Sequence, residues 1–387
     1  MTNAERIYLD WNATAPLLPE ARTALLDGLA LQGNASSVHR EGRAARAAID
    51  AARRQVADLV GGDAAHVFFS AGATESANHV LTPDFRMGRS AVRLGGLFVS
   101  AIEHPAVREG GRFEARQEIP VGPDGIVRLD ALEAMLAAHD RSAGPAMVAI
   151  MAANSETGII QPVAEAARLV HAHGGLIVVD AVQAVGRLPV AIEALGADFL
   201  ILSSHKIGGP KGVGALVTRG ETLMPAPLIR GGGHEKGHRS GTENIAGIMG
   251  FGAASAFAAR DPAERNGRIE ALRTRLEAGM RAAAADVVII GEGGPRLPNT
   301  TCFMLPGLKA ETGQIAFDLE GIALSAGSAC SSGKVGESHV LKAMGLDPRL
   351  GALRISLGWE TDEASVDRAI AAFARIAARR RLPVAAA

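Results

Sequence analysis

A lysine set just beyond an apolar run is the first residue of this sequence with an evident chemical use. Lys206 lies in Ser203-Ser204-His205-Lys206-Ile207-Gly208-Gly209-Pro210-Lys211-Gly212, directly after Phe199-Leu200-Ile201-Leu202. An amine held at the end of a buried strand can condense with an aldehyde cofactor. A loop lysine is ordinarily just a solvated charge, and Lys211 reads that way. Lys206 differs through its neighbours. Asp180 ends the apolar run 176–179, about one strand-helix-strand unit upstream, which sets both residues on one sheet rim. An aspartate there can pair with a protonated pyridine nitrogen and keep the ring an electron sink, although capping a turn is the commoner use of Asp.

Two further segments are expected on the same rim. Ser70-Ala71-Gly72-Ala73-Thr74-Glu75-Ser76 follows a short strand and opens a helix. Its small residues let the backbone approach a phosphate, and the helix start offers free N–H groups, but it lacks the lysine and spacing of a P-loop. His104, in Ala101-Ile102-Glu103-His104-Pro105, could stack its imidazole on a planar cofactor, whereas a lone histidine is more often structural.

The chain has two cysteines, which excludes a disulfide framework and a four-thiolate zinc site and fits a reducing compartment. Cys330 sits in the small-residue run Gly327-Ser328-Ala329-Cys330-Ser331-Ser332-Gly333, where nothing apolar would bury a sulfur, so a reactive thiol is expected. Cys302, in Thr301-Cys302-Phe303-Met304, is expected to pack in a core strand. Arg354, inside the strand-like Leu353-Arg354-Ile355-Ser356, needs a carboxylate, either an internal Asp or Glu or a substrate.

The elements that must hold these residues follow from the hydrophobic pattern. Between residues 65 and 218 short apolar runs with little polar alternation alternate with amphipathic helical stretches such as 43–60 and 163–173. This predicts an α/β domain with a mostly parallel sheet covered on both faces. Beyond residue 255, a charged helix over 263–285, short strands, and a last helix over 366–381 predict a smaller α+β domain. The expected division is 15–255 for the large domain, with 1–14 and 256–387 forming the small one that carries the cysteine loop. Gly231-Gly232-Gly233-His234 is too short for a linker and is expected to be a mobile or binding loop. A net charge of −1 gives no general nucleic-acid or anionic-membrane binder. The apolar runs are too short to span a membrane, the acidic N-terminal stretch does not read as a signal peptide, and a cytoplasmic location is expected.

Taken together, these stretches resemble the cysteine desulfurases of the NifS/IscS-like group, which are class V aminotransferase-type, fold-type-I pyridoxal-phosphate enzymes. The resemblance runs from Tyr8-Leu9-Asp10-Trp11-Asn12-Ala13-Thr14-Ala15-Pro16 to Arg354-Ile355-Ser356-Leu357-Gly358. It is carried most by the Lys206 segment, by Gly231-Gly232-Gly233-His234-Glu235 with Arg239-Ser240-Gly241-Thr242, and by the Cys330 loop. It implies a large domain built on a seven-stranded-type sheet. It implies that Lys206 carries pyridoxal 5'-phosphate, Asp180 meets the ring nitrogen, His104 stacks on the ring and Gln183 approaches the phenolic oxygen. Ala73, Thr74, Ser203 and His205 would hold the phosphate, with Thr242 reaching across from the other subunit of a homodimer. Asn34 and Arg354 would bind the substrate carboxylate region. The chain departs from the family pattern at Asn154-Ser155-Glu156-Thr157-Gly158, where Ser155 replaces an asparagine, so the contact to cofactor oxygen and substrate falls to Ser155 or to Asn154. The implied reaction converts L-cysteine to L-alanine and leaves a persulfide on Cys330 for an acceptor such as an iron-sulfur scaffold protein, with no metal required. Alternatives are another enzyme of the same fold, an aminotransferase, a kynureninase-like hydrolase or a selenocysteine lyase, or a sulfur-carrier scaffold without catalysis. Cys330 argues against an aminotransferase, and the joint presence of Lys206, Asp180, His104 and Cys330 argues against a scaffold.

Overall fold

The computed structural model describes residues 6–326, 337–347 and 351–380. The expected nucleophile Cys330 lies outside the described residues.

The apolar runs form a seven-stranded sheet. In chain order its strands are β1 (Val67–Ser70), β2 (Gly96–Ser100), β3 (Gln117–Ile119), β4 (Ala146–Met151), β5 (Leu176–Asp180), β6 (Phe199–Ser203) and β7 (Gly214–Thr218). They lie in the order β1-β7-β6-β5-β4-β2-β3. Every pairing is parallel except the two made by β7, which runs antiparallel to both β1 and β6. Every residue of β4, β6 and β7 is buried, as the unbroken apolar runs require of strands covered on both faces.

The covering helices are α1 (Pro19–Ala30), α2 (Arg40–Leu59), α3 (Ala73–Val80), α4 (Val163–Ala172) and α5 (Ile245–Ala259). Helix α2 begins at His39, whose Nδ1 accepts from the Gly42 N–H, and buries Ala45, Ile49, Ala52 and Val56 on one stripe at helical spacing. Helix α5 is apolar nearly all round and contributes Ile248, Phe251 and Ala254 to the same core.

A second core is built on a four-stranded antiparallel sheet of β8 (Val288–Ile289), β9 (Thr300–Met304), β10 (Ser325–Ala326) and β11 (Leu353–Ser356), in the order β8-β9-β11-β10. Helices α6 (Pro262–Ala283), α7 (Ala310–Leu319) and α8 (Glu363–Arg379) pack on it. Phe303 lies edge-on to both Phe317 and Phe373, all three fully buried. Truncating any one of them to alanine costs about 3–5 kcal/mol.

The N-terminal segment joins this second core: Ile7–Tyr8 pairs in parallel with Ile322–Ala323, and Asp10 bridges to Ser356. Trp11 meets Trp359 edge-on at 4.5 Å. Gly358 lies so close to the Trp11 ring that a methyl group there would stand 1.9 Å from it. No described helix is long and apolar enough to cross a membrane.

Candidate active site

A cavity of about 630 Å³ opens at the carboxyl ends of the parallel strands, where the connecting loops of an open α/β sheet converge. Asp180 is the last residue of β5, and its Oδ1 accepts from the Val182 N–H at 2.9 Å. Burial pushes the Asp180 carboxyl above its ordinary range, so a cation placed against it would be strongly held as its counter-charge. On the adjacent strand β6, Ser203 is the last residue, and a single 3₁₀ turn, Ser204–Lys206, carries Lys206 over the same rim. The Lys206 amine donates to the carbonyls of Asn12 and Ala13 at 2.6 and 2.9 Å.

Gln183, buried beside them, donates through Nε2 to the Asn12 carbonyl at 3.0 Å, and its Oε1 has no partner among the described residues. His205 Nδ1 lies 3.1 Å from Thr14 Oγ1. Burial, with Lys206 and Lys211 nearby, lowers the His205 pKa to about 4, so the ring is neutral near pH 7. His104 lines the wall beyond β2. Its Nδ1 accepts from the Ala106 N–H at 3.1 Å, which makes Nδ1 the unprotonated ring nitrogen and fixes the tilt of the imidazole.

At the other end of the cavity, β1 turns through Gly72 into α3. Gly72 has φ 148°, backbone that side chains rarely adopt. No described residue accepts from the N–H groups of Ala73 and Thr74, as expected of a helix start, and both residues line the cavity. The cavity thus joins an anion-binding end to a carboxylate, an amine and an imidazole. That donor set suits a flat, phosphorylated aldehyde with a basic ring nitrogen.

Not every expected residue meets at this cavity. Ser155 lines it, half-buried, whereas Asn154 is turned inward. The Asn154 amide donates to the Ile102 carbonyl and its Oδ1 accepts from the N–H groups of Glu156 and Thr157. Asn154 therefore holds the turn that presents Ser155. Arg354 stands behind Ser155 and is 1% exposed. It donates to the Ser155 carbonyl at 2.9 Å and to Asp10 Oδ1 at 2.7 Å, so its carboxylate partner in the chain is internal. Asn34 is exposed, and its Oδ1 accepts from the Ser36 N–H. Thr242 is exposed too, beside a smaller pocket lined by Ala71 and Gly212, outside the main cavity. The glycine-rich stretch is tied down: Glu235 takes a fork from Arg53 at 2.7 Å and accepts from the Phe69 N–H. Cys302 is fully buried in β9, and burial drives its thiol pKa up, consistent with a packing role.

Three contributors escape sequence reasoning. Asp10 and Asn12 reach the site from the N-terminal segment, and their only signal is two polar residues in an otherwise strand-like stretch that must find partners. Glu103 is fully buried, with Oε1 accepting from the Met151 N–H at 2.5 Å and Oε2 without a partner among the described residues. Burial and the neighbouring Asp180 raise its pKa well above the ordinary carboxylate range, which favours the protonated form beneath the site.

Residues 7–369 match the aminotransferase class-V family. The chain is 40% identical over 374 residues to a cysteine desulfurase of Cereibacter sphaeroides, covering 94% of each chain. It is 38% identical to an IscS-like cysteine desulfurase of Mycobacterium tuberculosis, covering 98% of each. Its fold is similar to that of a NifS-like protein from Rickettsia africae, with a TM-score of 0.83 at 33% identity, over 96% of this chain and 99% of that one. With Lys206 and Asp180 on adjacent strands of one cavity, and with these similarities spanning nearly the whole sequence, the chain belongs to the aminotransferase class-V family, among the cysteine desulfurases.

Proposed function

We propose that this protein is a pyridoxal-phosphate-dependent cysteine desulfurase that converts L-cysteine to L-alanine and passes the sulfur to Cys330. The observation that carries the proposal is the placing of Lys206 and Asp180 in one cavity with the open helix start of α3. The family works with pyridoxal 5'-phosphate, and the residues present fit it: an amine, a buried carboxylate, an acceptor without a partner on Gln183, and unengaged N–H groups at Ala73 and Thr74.

In this assignment Ala73, Thr74, Ser203 and His205 hold the phosphate, with neutral His205 acting as a hydrogen-bonding group. Asp180 keeps a proton on the ring nitrogen, Gln183 meets the phenolic oxygen, and His104 covers one face. The cofactor, when bound, supplies a sink for the electrons left at the substrate α-carbon. Lys206, whose amine lies in the same cavity, would be the base that moves the α-proton. Arg354 and Ser155 form the substrate-carboxylate side, with Asn34 assigned to the same region and Asn154 supporting Ser155. The Cys330 thiolate attacks the substrate sulfur, the substrate's Cβ–S bond breaks with its electron pair going to the carbon skeleton, and that skeleton takes up protons and leaves as alanine while a persulfide remains on the enzyme.

Thr242 is exposed and does not line the main cavity of its own chain, which supports its service to the phosphate of a second copy in a homodimer. The two cores support a large domain over 15–255 and a small one formed by 1–14 and 256–387. The sulfur acceptor is proposed to be a protein such as an iron-sulfur scaffold, in the cytoplasm. The test is alanine release from cysteine without a keto-acid acceptor, together with mass spectrometry of the cysteines. Cys330→Ser is expected to keep the cofactor colour and lose alanine release and persulfide. Full alanine production by that variant, or a persulfide on Cys302, would overturn the assignment.

A further inference from the structure

The phosphate end of the cavity contains an electrostatic conflict. Glu75 lies in the first turn of α3 and lines the cavity together with Gly72, Ala73 and Thr74. Its Oε2 accepts from the Ala71 N–H at 3.0 Å, which fixes the carboxylate against the turn that would cradle the phosphate. A carboxylate suits a helix start when no ligand is bound, but beside a phosphate it repels the anion that the same N–H groups attract. His205 is neutral and cannot offset it.

Lys206 and Lys211 also line the cavity, but Arg239 is the cation paired directly with this carboxylate. Its Nε donates to Glu75 Oε1 at 2.9 Å and its Nη2 to Glu75 Oε2 at 3.3 Å. The two side chains are only 23% and 15% exposed, so solvent screens the pair incompletely. The pairing raises the Arg239 pKa further and keeps it fully charged. Glu235 is paired with Arg53, and Glu235 and Glu243 add weaker attraction to Arg239 behind its direct pair with Glu75. Arg239 is therefore the cation that cancels Glu75, and it comes from the loop that Glu235 pins to β1 through the Phe69 N–H.

Resting on the cofactor assignment above, we infer that Arg239 is a positioning residue for the cofactor phosphate: by neutralising and holding Glu75, it converts the start of α3 from a carboxylate-blocked turn into an anion site. The effect is specific to the phosphate, because pyridoxal, which lacks that group, brings no anion against Glu75.

The test titrates the full-length chain, stripped of cofactor, with pyridoxal 5'-phosphate and separately with pyridoxal, which lacks the phosphate, following visible absorbance. Arg239→Gln is expected to weaken pyridoxal 5'-phosphate binding at least about tenfold, or ~1.4 kcal/mol, and to leave pyridoxal binding within about twofold, well inside that energy. Adding Glu75→Gln to Arg239→Gln is expected to restore most of the loss. Glu75→Gln alone keeps an oxygen for the Ala71 N–H and is expected to bind pyridoxal 5'-phosphate at least as tightly as wild type, a check that survives if Arg239→Gln fails to fold. Equal weakening for both compounds, absence of rescue, or weaker binding by Glu75→Gln alone would overturn the inference. In those cases wild type still binds pyridoxal 5'-phosphate and the cofactor assignment stands. A wild-type chain that binds neither compound overturns the assignment and the inference together.

Discussion

Removal of the Asp10 carboxylate should leave a buried guanidinium without its counter-charge. Arg354 is 1% exposed and Asp10 18%, with 2.7 Å between Nη2 and Oδ1. Among the described residues the remaining donors find only the Ser155 carbonyl, and Nε already has no partner there. Asp10→Ala also takes the acceptor at 2.8 Å from Ser325 Oγ. Breaking a buried ion pair from one side costs about 3–5 kcal/mol. Because Asp10 is partly open to water, the lower end applies, about 3 kcal/mol. An unfolding entropy of about 2.1 cal/mol/K per residue gives about 0.8 kcal/mol/K for a chain of 387 residues, so the melting midpoint should fall by about 4 °C. Urea unfolding followed by tryptophan fluorescence is suited to the measurement. The chain has two tryptophans, and Trp11 and Trp359 touch each other next to Asp10. Replacing both partners, Asp10→Ala with Arg354→Met, removes the stranded charge and should recover more than half of the loss. A single variant within about 1 kcal/mol of wild type, or a double variant no more stable than the single, would refute the idea that Asp10 compensates Arg354.

Glu156 is buried, accepts from Ser338 Oγ at 2.7 Å, and is shifted by burial to about 7. An acid whose folded pKa is raised stays protonated while the unfolded chain ionises, so it withdraws stability as pH rises from about 4.5 to 7. Glu156→Gln should gain on wild type across that window, by roughly 3 kcal/mol above it; parallel urea midpoints for the two proteins at every pH would contradict this. Cys302→Ser, which places a hydroxyl in a closed core strand, should cost about 1–3 kcal/mol in urea unfolding and leave persulfide formation unchanged; a lost persulfide would count against its packing role. Thr242→Ala and Lys206→Ala proteins, each inactive, should regain activity when mixed into heterodimers if Thr242 serves the neighbouring site, and verified heterodimers without activity would assign Thr242 to its own chain.

The sheet was legible because its strands are covered on both faces. Residues 147–150, 176–179 and 199–202 carry no polar alternation, and each falls inside an observed strand. Lys206 and Asp180 were legible for the same reason, since a polar residue ending such a run has only the rim to occupy. Helix ends were less so: α2 starts at Arg40, three residues before the expected 43, because His39 caps it with a ring nitrogen, a device the apolar period does not register. The charges that balance the site were not legible. Asp10 meets Arg354 across 344 positions and Arg239 meets Glu75 across 164. Local composition gives no means of pairing residues so far apart, and each is an unremarkable surface type until the fold encloses it.

The joining of the segment around Asp10 to β11 also orders events during synthesis. Asn12 offers its carbonyl to the Lys206 amine, yet Asn12 is itself held by Thr300 Oγ1 and by Ser356 Oγ. Once the chain has been made through α5, which ends at Ala259, the strands of the large sheet, the helix that completes most of their core and the lysine are all present. The wall that receives that amine is not complete, because its supports have not yet been translated. A nascent chain that stops before residue 356 therefore has the lysine but not the full support of its resting place, and cofactor capture in its finished geometry waits for that residue.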